Sequence, residues 1–125
     1  MRALSQPAKH PELVVAKALV RAAAVLGLAQ GEVARILGTS AASISRSFAG
    51  DRPVPLDSAE GRLALLFLRL FRSLDTLVGG DRAKARLWLG ARNAHLGGQV
   101  PLQLIATIQG LVRVADYLDA LRGHL

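Results

Sequence analysis

Apolar residues recur at helical spacing along most of the chain, and glycines or prolines stand where this pattern stops. The first half contains three such runs, at about 12–26, 30–37 and 41–49, and each is followed by a glycine, a residue that ends helices well. Thr39 or Ser40 is placed to cap the third run at its amino end. The spacing therefore predicts three short helices in the first half.

The second half predicts longer helices after a connector that contains prolines. Residues 51–55 hold two prolines, and each removes a backbone donor and restricts the residue before it, so this segment is the best candidate boundary between two halves. Asp81 is placed as a helix cap, and Pro101 suits a first helical turn. The predicted helices are 58–78, 82–89 and 102–121, with a loop at 90–100. No strand-like alternation appears, so the predicted fold class is all-α.

Length and composition fit a helical protein with an ordinary apolar core. The chain has 125 residues, enough to bury a core without covalent staples, and it contains no cysteine. Residues 1–11 hold two prolines and no apolar period, so we expect a flexible arm there. The predicted domains are then a helix-turn-helix unit at 12–55 and a second helical unit at 56–125.

The charge balance favours a polyanionic or acidic partner. The formal net charge is +7, and most of the excess lies in the second half. Residues 1–60 carry seven basic and five acidic side chains, whereas residues 61–125 carry nine basic and four acidic ones. The charge alone leaves two alternatives open, a nucleic acid and a protein with an acidic surface.

Nothing in the sequence predicts a membrane span. The strongest apolar stretch, Leu63–Leu68, stops at Arg69 and is far shorter than the roughly 18 residues that a spanning helix needs. Polar residues and prolines fill the amino-terminal positions where a signal peptide has its apolar region. We therefore expect a cytoplasmic protein.

The side chains that carry catalysis are sparse and scattered. His10, His95 and His124 fall on the arm, a loop and the terminus, with no second ligand at metal-binding spacing. Asp116 and Asp119 are the nearest approach to a carboxylate pair, and three residues apart on one helix they are expected to be solvated. The sequence therefore predicts a protein that is not an enzyme and that holds no metal or cofactor.

Residues 27–46 carry the most informative motif of the first half. Ala34 is small enough for two helices to cross closely, Gly38 permits a tight turn, and Ile44 fixes the second helix on the first. This segment resembles the helix-turn-helix of the Xre family, whose fold resembles that of phage repressors. The resemblance implies that the start of the second helix of the motif enters the major groove of DNA. A corner of the same shape in an ordinary helical bundle is the alternative.

The outward positions of that second helix are the candidate DNA contacts. Arg46 is the one side chain among them that can pair with guanine through two hydrogen bonds, and the two alanines can at most sense a thymine methyl group. Ser40 and Ser43 are candidate phosphate donors near the helix amino terminus. The full predicted set is Ser40, Ala41, Ala42, Ser43, Ser45 and Arg46. With so few polar readers, useful affinity requires a homodimer on two half-sites.

A second pattern of tryptophan, asparagine, paired glycine and proline lies in the second half. It consists of Trp88-Leu89, Asn93, Leu96-Gly97-Gly98, Pro101-Leu102, Ile108-Gln109-Gly110, Val114 and Tyr117-Leu118. This pattern resembles the carboxy-terminal toxin-binding domain of Xre/MbcA/ParS-type antitoxins, over about residues 63–125. The resemblance implies an antitoxin that neutralises a RES-domain toxin, an NAD-degrading enzyme, and that represses its own operon. The expected partners are that toxin and operator DNA, and residues 56–125 become a toxin-binding and dimerisation domain.

The residues of this second pattern also have a structural interpretation. Trp88 is expected in the core, while Asn93 and the glycine pair are expected to shape the loop. The basic residues of the second half are either solvated helix faces or a rim that pairs with acids on a toxin, and the carboxy-terminal tail either frays or plugs a cleft. The predicted toxin contacts are Arg92, Asn93, Leu96, Arg113, Leu121, His124 and Leu125.

Two other functions remain open from the sequence. The chain could be a regulator that binds DNA without a toxin partner, or a helical adaptor whose helix-turn-helix no longer binds DNA. Whichever function holds, we expect a homodimer, formed partly through the helix at 58–78, because Leu65 and Leu68 lie off the main apolar face of that helix.

Overall fold

The computed structural model describes residues 10–123, and all the regular secondary structure in this part of the chain is helical. Short turns and loops join the helices, and one isolated β-bridge links Asn93 to Gln99. The helices are α1 (Pro11–Leu26), α2 (Gln30–Leu37), α3 (Ala41–Phe48), α4 (Ala59–Leu77), α5 (Arg82–Gly90), α6 (Pro101–Leu104) and α7 (Ile108–Gly123), with a 3₁₀ turn at Ala94–Leu96. The all-α prediction is confirmed.

The helix ends follow from local chemistry. Gly27 ends α1 with a left-handed backbone, φ 70°, which costs a glycine little. At the amino ends, the side chains of Ser40, Ser58 and Asp81 accept hydrogen bonds from the backbone N–H groups three residues later. The first five helices therefore begin and end within two residues of the bounds that the sequence predicts.

The predicted single helix at 102–121 is wrong. The chain forms α6, turns at residues 105–107 and starts again as α7. Thr107 caps the new helix because its Oγ1 accepts from the Gly110 N–H at 3.1 Å. Gly110 also lies so close to α6 that a Cβ there would stand 1.8 Å from the Leu104 carbonyl oxygen. The turn brings Ile105 fully into the core.

The apolar core is continuous through both halves of the chain, and α4 lies at its centre. This helix packs against α1, α2, α5 and α7, and Phe67, Leu70 and Leu74 are buried on it. Leu68, expected to lie off the main face, is only 6% exposed and belongs to the same core, whereas Leu65 is 49% exposed. One half of the sequence argument for a dimer surface on α4 is therefore wrong.

The connector between the halves is packed rather than loose. Val54 is completely buried, and a Cβ at Gly61 would stand 2.4 Å from the Leu56 backbone, so the connector lies directly on the start of α4. Arg52 donates through both ends of its guanidinium to the two carboxylate oxygens of Glu60, at 3.0 and 2.7 Å. These contacts hold the first three helices at one position relative to α4.

A second arginine joins the halves at the end of α1. Arg86 on α5 donates from Nη2 to the carbonyl of Ala24 at 2.8 Å and from Nε to that of Val25 at 3.1 Å. These carbonyls lie in the last turn of α1, where they have no partner inside the helix. Arg86 therefore caps the carboxy-terminal end of α1.

A charged cluster joins α4 to α7. Arg69 pairs with both Asp116 and Asp119 at 2.8 Å, and the buried Ser73 hydroxyl donates to Asp119. Both aspartates keep contact with solvent as expected, with side chains 65% and 32% exposed, and both are in addition paired with Arg69 of α4. The Ser73 hydrogen bond, with the positive charges of Arg69 and Arg122, lowers the pKa of Asp119 despite its partial burial.

Candidate functional site

The helix-turn-helix is formed by α2 and α3. Gly38 makes the turn with a left-handed backbone, φ 69°, and its N–H returns to the Ala34 carbonyl. Val33, Ala34 and Leu37 are buried on the inner side of α2, and Ile44 of α3 is buried completely against them. The three residues that the sequence predicts for the crossing, Ala34, Gly38 and Ile44, thus occupy the crossing and the turn.

The opposite face of α3 is open to solvent. Ser40, Ala41 and Ala42 at its start are exposed, as are Ser45 and Arg46 one turn later, while Ser43 is half-buried. Opposite faces of the helix therefore have different roles. The inward side fixes the helix on α2, and the outward side presents six small or polar residues from the amino-terminal end onwards.

The two serines at the start of α3 are hydrogen-bonded to each other. Ser40 Oγ accepts from the Ser43 N–H and donates to Ser43 Oγ, each at 3.0 Å. The two hydroxyls share one of their two protons, and the other proton remains available for a phosphate. Both serines therefore stay candidate phosphate donors.

Arg46 is the charged group of this face. Within residues 10–123 no carboxylate forms an ion pair with it, whereas Arg52 and Arg69 are both paired. A guanidinium that keeps all its donors can accept a bidentate partner such as a guanine edge or a phosphate. The arrangement can therefore bind an anionic, hydrogen-bonding ligand along α3.

The far end of α3 is anchored by residues that sequence reasoning missed. Ser47 is buried and accepts from Arg52 at 3.0 Å, and Arg52 in turn holds Glu60 of α4. The hydrogen bonds and charge of Glu60 raise the pKa of Arg52, so this group stays protonated. Arg52 and Glu60 are eight residues apart in different elements, so no helical or strand period pointed to the pair.

The second half presents a different kind of surface, a stack of three rings. Tyr117 of α7 lies between Trp88 of α5 and His95 of the loop, with ring centroids 6.4 and 6.0 Å away. Trp88 and Tyr117 are half-buried and pack against the core, so the expectation of a tryptophan in the core is met on one side only. The rings fix the loop at 92–100 against α5 and α7.

Asn93 and the glycines shape that loop as predicted. The Asn93 side chain accepts from the His95 N–H at 2.9 Å, and the backbone N–H of Asn93 donates to the Gln99 carbonyl at 3.0 Å. Gly97 and Gly98 both have left-handed backbones, φ 70° and 74°. The guanidinium of Arg113 lies over Gly97, 3.7 Å from where a Cβ would stand.

The predicted toxin contacts fall into four groups. Arg92, Arg113 and Leu121 are exposed and can reach a partner, while Asn93 is half-buried and engaged within the loop. Leu96 is only 1% exposed, so its predicted contact is wrong: it anchors the loop in the core. The last two predicted contacts, His124 and Leu125, lie outside the described residues.

The fold and its two surfaces define a helix-turn-helix protein with a second helical half built to present a shaped surface. Comparison with protein families identifies both parts. The antitoxin Xre-like helix-turn-helix domain matches residues 11–69, and the antitoxin Xre/MbcA/ParS C-terminal toxin-binding domain matches residues 73–123. No curated protein matches the sequence. The chain belongs to the Xre/MbcA/ParS-type antitoxins, and this domain pair implies a toxin and DNA as its partners.

No helix within residues 10–123 is both long enough and apolar enough to cross a membrane.

Proposed function

We propose that this protein is the antitoxin of a type II toxin–antitoxin system that binds and neutralises a RES-domain, NAD-degrading toxin and represses its own operon. One observation carries the proposal: a single chain joins an exposed helix-turn-helix to a toxin-binding domain. The protein acts by binding and performs no catalysis of its own. It works in the cytoplasm, where both the operator and NAD are found.

Repression rests on α3. Its amino-terminal turns enter the major groove, Arg46 reads a base edge, and Ser40 or Ser43 donates to a phosphate. Because one subunit offers a single strong reader, the repressor binds as a homodimer to two half-sites related by a two-fold axis. The solvent-exposed side of α3 supports this role, since no element of the described residues 10–123 covers it.

Neutralisation rests on the second half. Arg92 and Arg113 are exposed beside the loop that the ring stack and Asn93 hold in shape, and they attract acidic groups of the toxin. The carboxy-terminal tail beyond Leu121 reaches the active-site cleft and excludes substrate. Removal of residues 123–125 then weakens inhibition of the toxin while operator binding persists, because a terminal segment contributes little to packing.

The proposal is tested with the reading frame beside the antitoxin gene and with the promoter of the operon. We expect that frame to encode a RES-domain protein that copurifies with the chain, and we expect a gel shift of promoter DNA that weakens steeply as salt rises. A promoter shift without a toxin would support the stand-alone regulator. A toxin complex without any promoter shift would support the adaptor.

A further inference from the structure

The ion pairs between α4 and α7 fix how these two helices run. Arg69 reaches Asp116 and Asp119, and Ser73, one turn further along α4, meets Asp119. The contacts advance in the same direction on both helices, so α4 and α7 lie side by side and parallel. One turn towards the amino end from Arg69 and Asp116, the corresponding positions are Leu65 on α4 and Val112 on α7.

Both positions expose an apolar side chain. Leu65 is 49% exposed and Val112 is 40% exposed, and Ile108, another turn back on α7, is 61% exposed. Residues four apart on a helix lie on one face, so Ile108 and Val112 form a stripe beside Leu65. We name these three residues the α4–α7 apolar patch. Exposed apolar residues that are clustered in this way indicate an interaction surface, whereas single scattered ones do not.

Positive charge flanks this patch, and no ion pair within residues 10–123 neutralises it. Arg62 lies one turn before Leu65 on α4, and Arg113 follows Val112 on α7, and both are exposed. The nearby carboxylates of α7 are already occupied, because Asp116 and Asp119 pair with Arg69. A second copy of the chain would bring arginines to face arginines, which is unfavourable. The charge pattern instead fits a partner with an apolar centre and carboxylates around it.

We infer that the α4–α7 apolar patch, with Arg62 and Arg113 at its edge, docks an acidic-rimmed apolar surface of the toxin. The inference rests on the proposed function and deepens it by naming the docking face and the chemistry of the partner. It also extends the toxin contact to Leu65, which lies outside the matched toxin-binding segment 73–123 and inside the matched helix-turn-helix segment. Toxin bound there contacts both parts of the antitoxin at once.

The test measures affinity of the purified chain for the RES-domain protein encoded beside its gene, by calorimetry. Leu65→Glu and Val112→Glu should each weaken binding by about tenfold or more, because each places a carboxylate in the apolar centre of the contact. The matched control is Val14→Glu, a residue of α1 that is 56% exposed and distant in sequence from the patch. It should bind the toxin like the unmodified chain. All three substitutions are at exposed sites, and thermal unfolding checks that each variant is folded.

A charge-reversal variant tests the arginines at the edge of the patch. Arg62→Glu should weaken the toxin complex and flatten its dependence on salt. If the unmodified chain binds the toxin and the folded patch variants bind it equally well, the docking face is wrong while the proposed function stands. If the patch variants instead turn a dimer into a monomer in light scattering, with toxin affinity unchanged, the patch belongs to a second copy and the inference is overturned. Absence of toxin binding by the unmodified chain would refute the proposed function itself.

Discussion

Arginine side chains take two roles in this protein, and only their surroundings separate them. Arg52, Arg69 and Arg86 hold elements together through carboxylates or helix-end carbonyls. Arg46 points outward from α3 and forms no ion pair with any described carboxylate. The helical period of α3 predicted that Arg46 is exposed. The partners of Arg86 lie some sixty residues away on α1, so no local pattern in the sequence predicted them.

The outward position of Arg46 leads to a specific expectation for DNA. Arg46→Ala should cost roughly 1–3 kcal/mol of operator binding and relax the preference at one base pair, because a bidentate contact to a base edge is lost. Arg82→Ala removes the same charge from an exposed position at the start of α5 and should lower affinity far less. Titration of labelled operator variants at fixed salt measures both effects. Equal affinity of folded Arg46→Ala and the unmodified chain would mean that the base reader is elsewhere.

The depressed pKa of Asp119 makes the α4–α7 contact sensitive to pH. A carboxyl whose pKa is lower in the folded than in the unfolded chain stabilises the fold at pH values above its unfolded pKa, about 4, and loses this contribution as pH falls through the folded value. Asp119→Asn keeps an oxygen that can accept from Ser73 but loses the charge facing Arg69, so it should lower the free energy of unfolding by roughly 0.5 kcal/mol at pH 7. The difference from the unmodified chain should stay constant down to about pH 5 and shrink below pH 4. Urea unfolding across that range measures it, and a difference that grows on acidification would contradict the assignment.

At the scale of whole elements, local signals predicted the helices well and tertiary contacts decided the exceptions. Caps at Ser40 and Asp81 and a glycine after α1 are visible in the sequence, and these ends fall where expected. The division into α6 and α7 was missed because the apolar period runs on across Thr107. The turn forms because Ile105 becomes buried and Gly110 allows the two short segments to approach closely.

Two glycines in helices should respond in opposite ways to alanine. Gly110→Ala should lower the free energy of unfolding by about 3 kcal/mol, because the new methyl group collides with the Leu104 carbonyl and the backbone must shift. In Gly31→Ala, on α2, the new methyl group meets no atom within 4 Å, and the substitution should raise the free energy of unfolding by about 0.5–1 kcal/mol. Urea unfolding of both variants tests the pair. Equal effects would show that α6 and α7 do not approach as closely as described.

The junction between α3 and α4 depends on the shape of a guanidinium as well as on its charge. Arg52→Ala leaves Glu60 nearly buried without its partner and should cost roughly 3 kcal/mol of stability. Arg52→Lys keeps the charge but cannot bridge Ser47 and both oxygens of Glu60, so it should recover only part of that loss. Chemical denaturation measures the order of the three proteins. Full recovery by lysine would show that charge alone holds the junction.

At the scale of the whole molecule, the two halves share one core and are not two separately packed units. Buried residues of α1, α2, α4, α5 and α7 form a continuous cluster, and Arg52 and Arg86 bridge the halves at its surface. The sequence predicted an all-α fold, the helix-turn-helix and the antitoxin family, each from patterns confined to one segment. It could not predict how the halves pack, or that Leu96 and Leu68 are buried, because those facts depend on contacts between distant segments.

The central claim is that this chain stops a toxin by binding to it, and the most direct measurement is NAD consumption by the toxin as the antitoxin is added. The toxin for this assay is the protein encoded by the reading frame beside the antitoxin gene, which the proposed function expects to carry a RES domain, at a concentration well above the dissociation constant of the complex. We expect consumption to fall in proportion to the added chain and to reach background at a fixed molar ratio, because occlusion of an active site is stoichiometric. Undiminished consumption with excess folded antitoxin would contradict the account.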